Sequence, residues 1–169
     1  VLDRWFYRDM DAAAEATGSA FLRGYVQVQI DAANLRTLVR TLRMGKNEEF
    51  LRGVLFEGGE ISPDALLSVS AARGGGLAEL YAPTRFQAAA EAGVQALQGG
   101  PLTEFEKKCD DVVGEYLSGA LFVPFGEAPL VGYLAARETE YTNLRILLMG
   151  RGAGIAPDII RSRLRASYV

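Results

Sequence analysis

The chain has 169 residues, 49% of them apolar and 23% charged, with a net charge of −3, one cysteine and no histidine. That is enough for one domain or two small ones of ordinary globular composition. The charge balance argues against non-specific nucleic-acid binding, which needs a basic face to displace counterions. The lone Cys109 cannot close an internal disulfide, which points to a reducing compartment. Without histidine there is no Ser-His-Asp or Cys-His catalysis, no HExxH zinc site and no Glu-x-x-His di-iron bundle.

In chain order the pattern predicts helices throughout. Leu2 to Ala16 is the first, with Leu2, Trp5 and Phe6 assigned to the core. Gly18-Ser19 breaks it, and Ser19 caps a long helix from Ala20 to Lys46. Its arginines, Arg36, Arg40 and Arg43, form a basic stripe that is solvated or paired with a neighbour's acids. Short helices follow at Glu48 to Phe56 and at Pro63 to Arg73, the latter opened by Ser62-Pro63-Asp64. The triple glycine Gly74 to Gly76 reads as a helix stop, since no strand precedes it and no Gly-Lys-Ser/Thr follows. Leu77 to Tyr81 and the alanine-rich Arg85 to Leu97 are helical. Gln98-Gly99-Gly100-Pro101 is the clearest boundary.

Beyond it, Thr103-x-x-Glu106 reads as a capping box for a helix reaching Leu121. Cys109 lies in it, as a small helix residue rather than an activated thiol. A second long helix runs from Glu127 to Gly150 and a last one from Pro157 to Tyr168. The longest nearly uncharged run, Leu117 to Ala136, contains Pro124, Pro129, Glu127 and three glycines. It is too interrupted to span a membrane. The start, Val-Leu-Asp-Arg-Trp, is no secretory signal. It also lacks Met, so the chain reads as a piece of a longer one.

A polar motif recurs. Ile30-Asp31-Ala-Ala-Asn34-Leu35-Arg36 returns as Glu140-Tyr-Thr-Asn143-Leu-Arg145, with Asn34 and Asn143 separated by 109 positions. Gly24-Tyr25 and Gly132-Tyr133 precede the two copies. Met44-Gly45-Lys46 matches Met149-Gly150-Arg151 only if the second copy has lost four residues, about one helical turn. Ile61-Ser-Pro63-Asp64 then matches Ile155-Ala-Pro157-Asp158. The series argues for a duplicated helical unit, residues 1–98 and 101–169. Each acid and Asn lie three apart, on one side of a helix. Asp31, Asn34, Arg36, Glu138, Glu140, Asn143 and Arg145 are expected to tie the structure together by hydrogen bonds. No catalytic, cofactor or metal site is expected. A carboxylate enzyme built on these clusters is the weaker alternative.

The signature Gly-Tyr, acid-x-x-Asn-Leu-Arg, Met-Gly-Lys/Arg and Ile-x-Pro-Asp resembles the C subunit of V-/A-type ATP synthases, which is similar to the d subunit of vacuolar ATPases. The likeness is closest over Leu130 to Arg151 and extends through Ile160 to Tyr168. It implies an all-α, multi-helix bundle, funnel- or socket-like, in a family built from three similar units, of which this chain shows two, as the C-terminal half to two thirds of such a protein or as a natural short paralogue. It also implies a non-catalytic rotor subunit without cofactors, placed peripherally on the cytoplasmic face of the membrane. Its partners would be the central-stalk subunits and the proteolipid ring, in ATP-linked proton or sodium transport. A dimer is plausible in isolation. A generic helical scaffold or adaptor is the alternative reading.

Overall fold

The structure is a computed structural model and describes residues 2–166, apart from the side chain of Leu121. It is all-helical, as the patterning requires: α1 (Leu2–Thr17), α2 (Ala20–Arg43), α3 (Glu48–Val54), α4 (Pro63–Ala71), α5 (Leu77–Tyr81), α6 (Gln87–Leu97), α7 (Leu102–Ser118), α8 (Ala128–Gly152) and α9 (Pro157–Arg163). A 3-10 turn, Gly119–Phe122, follows α7. The chain divides into two compact units, Val1–Val113 and Gly114–Val169.

The helix starts carry their own chemistry. The side chains of Ser19, Asn47 and Ser62 accept the amides of Leu22, Phe50 and Ala65, satisfying one otherwise orphaned donor each. The ends are less obedient to sequence. α7 already begins at Leu102, so Thr103 falls inside its first turn and not at the cap. α8 runs on to Gly152, through Gly150. The last helix ends at Arg163, and the expected continuation to Tyr168 passes outside the described residues.

In the first unit, α1 packs along α2. Ala14, Val26, Ile30 and Phe56 form a buried cluster, with Tyr7, Met10, Leu22 and Ala33 against it. The Tyr7 and Phe56 rings lie 4.4 Å apart. Leu2, Trp5 and Phe6, assigned to the core from periodicity, stand exposed instead. The inward face of α1 is set by Tyr7, Met10 and Ala14, because a helix with apolar residues on several sides buries only the side its neighbour covers. On another side of α2, α6 and α7 bring Ala89, Ala90, Gly93 and Phe105 into the core, all fully or almost fully buried.

In the second unit α8 packs on the 3-10 turn and on α9. Gly150 lets α9 come close: a Cβ there would lie 2.8 Å from Ile160 Cγ1.

Candidate functional site

Asp31 and Asn34 of α2 are fastened to main chain, not to side chains of another helix. Asn34 is fully buried. Its Nδ2 donates to Phe56 O at 2.8 Å, and its Oδ1 accepts from Phe56 N at 2.9 Å. A carboxamide has a donor and an acceptor side by side, so it pairs with a residue's N–H and C=O as a neighbouring strand would. Those groups of Phe56 follow the end of α3, bent back over the core, and would otherwise be buried unpaired. One turn earlier, Asp31 accepts from Glu60 N at 2.9 Å and Ile61 N at 3.2 Å. Asp31 and Asn34 together pin the segment between α3 and α4 onto α2.

Asn143 of α8 repeats the bond. Its Nδ2 donates to Arg165 O at 3.0 Å, and its Oδ1 accepts from Arg165 N at 2.8 Å. The partner lies 22 residues on in both cases. The correspondence continues in one register. The helix-end amide of Met44 reaches Arg40 O and Leu42 O, and that of Ala153 reaches Met149 O and Arg151 O. Lys46 N donates to Thr41 O, and Ile155 N to Gly150 O. Gly45 and Gly154 take φ of 63° and 69°, where glycine alone is unstrained. Leu51 and Ile160 are the buried residues of the short helices.

Every one of these pairs keeps the spacing of Asn34 and Asn143, so the four-residue loss inferred from the sequence did not occur. Met149 corresponds to Arg40, not to Met44. Pro157 corresponds to Glu48 at the start of α3, not to Pro63 of α4. The Gly-Tyr pair is off this register by one position, and the two landmarks misplaced further were general signals, a Met-Gly pair and an Ile-x-Pro-Asp helix start, which fit any helix boundary.

The remaining polar residues are placed differently in the two units. Arg36 pairs with Asp110, and Arg40 with Glu106 at 2.5 Å, joining α2 to α7. Glu140 pairs with Arg137 on the exposed side of α8 at 2.5 Å. Glu138 and Arg145 are exposed. Within each unit these residues therefore do not converge on one point. Among the described residues no group of three or more Cys, Asp or Glu is placed to hold a metal ion.

Burial pushes the Cys109 thiol up to about 12, partly opposed by the nearby Arg36 guanidinium. It is therefore no nucleophile near neutral pH. A surface cleft of about 320 Å³ is lined by Arg4, Arg8, Arg52, Asp11, Glu57 and Asp64 among others. Within it Arg4 donates to the carbonyls of Arg52 and Gly53, and Arg52 faces Asp64 at 3.9 Å and, beside the cleft, Glu48.

Burial also raises the Asp31 carboxyl above the ordinary carboxylate range, against the lowering by the Glu60 and Ile61 amides. The folded state then holds this proton to higher pH than the unfolded state. Asp31's contribution to stability is thus full below the ordinary aspartate range, near pH 3.9, and declines as pH rises through the folded midpoint. Carboxyl carbon NMR should place that midpoint above the ordinary value, and Asp31→Asn should flatten this part of the stability–pH curve. A midpoint at or below the ordinary value would contradict the assignment.

The fold and its ties define an all-helical protein in which one fastened helical motif occurs twice among the described residues. The chain belongs to the ATP synthase (C/AC39) subunit family, a family of rotary ATPase subunits, whose model matches residues 1–163. It is similar to the C subunit of the V-type sodium ATPase of Enterococcus hirae, at 25% identity over 99% of this chain and 51% of that protein. It is similar also to the C subunit of the A-type ATP synthase of Haloferax volcanii, at 28% identity over 97% of this chain and 48% of that protein. The A-type counterpart from Methanocaldococcus jannaschii is 28% identical over 97% of this chain and 43% of that protein. The chain spans about half the length of the curated relatives it matches. No solved structure matches it significantly. No helix among the described residues is long and apolar enough to cross a membrane.

Proposed function

We propose that this chain serves in the central rotor of a V-/A-type rotary ATPase or ATP synthase, as a non-catalytic socket between the central stalk and the proteolipid ring. The observation that carries this reading is the family match along residues 1–163, supported by relatives named as C subunits of a V-type sodium ATPase and of A-type ATP synthases. Torque between an ATP-driven head and an ion-carrying ring needs stiff elements more than reactive groups. The described residues supply two long helices, of 24 and 25 residues, each fastened to the segment beyond the next helix. Satisfied polar networks of this kind resist bending because each bond fixes the next. In this reading the seven polar residues are structural, 1–98 and 101–169 are related helical units, and the protein sits peripherally on the cytoplasmic face.

Binding of the full gene product, beside the 169-residue chain, to purified central-stalk subunits and to the proteolipid ring tests the reading. Saturable binding of the full product to either supports it. Absence of binding to both would leave only a shared fold and bring the adaptor reading forward.

A further inference from the structure

The two copies of the fastened motif differ in what covers them. On α2, the line Val28, Ala32, Leu35 and Val39 is buried. At its far end α6 and α7 close over it: a Cβ on Gly93 would lie 3.2 Å from both Val39 Cγ2 and Phe105 Cε2. In the register fixed by the two asparagines, the corresponding line on α8 is Arg137, Tyr141, Leu144 and Leu148. Leu134 continues it one turn earlier. Leu35 is 0% exposed and its counterpart Leu144 47%; Val39 is 0% exposed and its counterpart Leu148 69%. Steps of three and four hold these residues on one side of the helix. The charge beside the line also has a counterpart. Arg36 pairs with Asp110 of α7, whereas Arg145 stands exposed.

We propose that this face of α8 is a docking surface for a helical partner that presents small residues to Leu144 and Leu148 and a carboxylate to Arg145, as Gly93 of α6 lies beside Val39 and Asp110 of α7 pairs with Arg36 on α2. A core-like stripe of this kind left in water is costly, and such patches mark interaction sites. A second copy of the chain is a poor occupant. Pairing two α8 helices antiparallel, Leu134 against Leu144, brings Glu138 of each copy towards Glu140 of the other. Pairing them parallel opposes Arg137 to Arg137. Like charges at such positions select against the pairing.

The test uses the full 169-residue chain and, as probe, a synthetic peptide of residues 87–118, which carries the small-residue face and Asp110. Saturable binding is expected by fluorescence anisotropy, about tenfold or more weaker with Leu144→Glu in the chain. Arg145→Glu should weaken it several-fold, and Asp110→Arg in the peptide should restore binding to that variant. Both chain positions are exposed, so an unchanged thermal melt confirms that the fold is intact; Leu144→Ser stands in if Leu144→Glu melts early. No saturable binding up to about 1 mM, or binding indifferent to Leu144 and Arg145, overturns the proposal. So does a sedimentation profile showing a dimer that Leu144→Glu dissolves, since copies of the chain would then cover the face.

Discussion

Asn34→Leu is expected to lower the free energy of unfolding by about 2–4 kcal/mol. The side chain is fully buried and makes two bonds to one residue, Phe56. Leucine has similar bulk but leaves a peptide N–H and C=O of Phe56 facing hydrocarbon. Each buried group left unpaired costs about 1–3 kcal/mol, and better burial of an apolar side chain offsets only part of that. Asn143→Leu removes the same pair of bonds from Arg165. Asn143 is only half-buried, so water replaces part of what is lost and the cost should be nearer 1–2 kcal/mol. Urea unfolding of both variants measures the difference at an unchanged denaturant slope. Equal losses, or a loss below about 1 kcal/mol at Asn34, would mean that the pairing with Phe56 is not what holds this segment.

The same two asparagines show what the sequence disclosed and what it withheld. Their recurrence, with the acid three residues before and Leu-Arg after, was visible because a polar residue on a helix's apolar side is rare enough to stand out. The helical class was visible from periodicity, and the starts at Ser19 and Ser62 from their capping side chains. The partners of Asp31 and Asn34 were not visible. They are backbone groups of Phe56, Glu60 and Ile61, and main chain carries no sequence signature. For the same reason the repeat was misregistered beyond its core. The true correspondence there is written in a glycine with positive φ and in helix-end amides, not in side-chain identities. Exposure was the other blind spot. Leu2, Trp5, Phe6, Leu144 and Leu148 have the composition of core residues, and only the placement of neighbouring helices decides which apolar side is covered. Glu138 and Arg145 likewise share a helix with Asn143 yet point to solvent, because residues two and five positions away fall on other sides of an α-helix.

Phe105→Ala should cost about 3–5 kcal/mol, the range for truncating a buried aromatic ring. Phe105 is fully buried, and its ring occupies the space that a side chain on Gly93 would claim, beside Val39. This arrangement makes a sharper prediction than the single variant. In the natural chain, Gly93→Ala pushes a methyl to 3.2 Å from two neighbours that are themselves packed. The gain in helix propensity, about 1 kcal/mol, is set against an overpacking cost of about 1–3 kcal/mol, so the substitution should be neutral or destabilising. With Phe105 already cut to alanine, one of the two close neighbours is gone and Val39 has a void to shift into, so the overpacking cost falls away while the gain in helix propensity remains. Gly93→Ala should then stabilise the Phe105→Ala background by about 1 kcal/mol. The two sites are in contact, so their effects need not add, and the cycle measures the coupling directly. Four denaturation curves suffice. An additive cycle would mean that the space beside Gly93 is not the space the Phe105 ring fills, and that α6 and α7 close over α2 by other contacts.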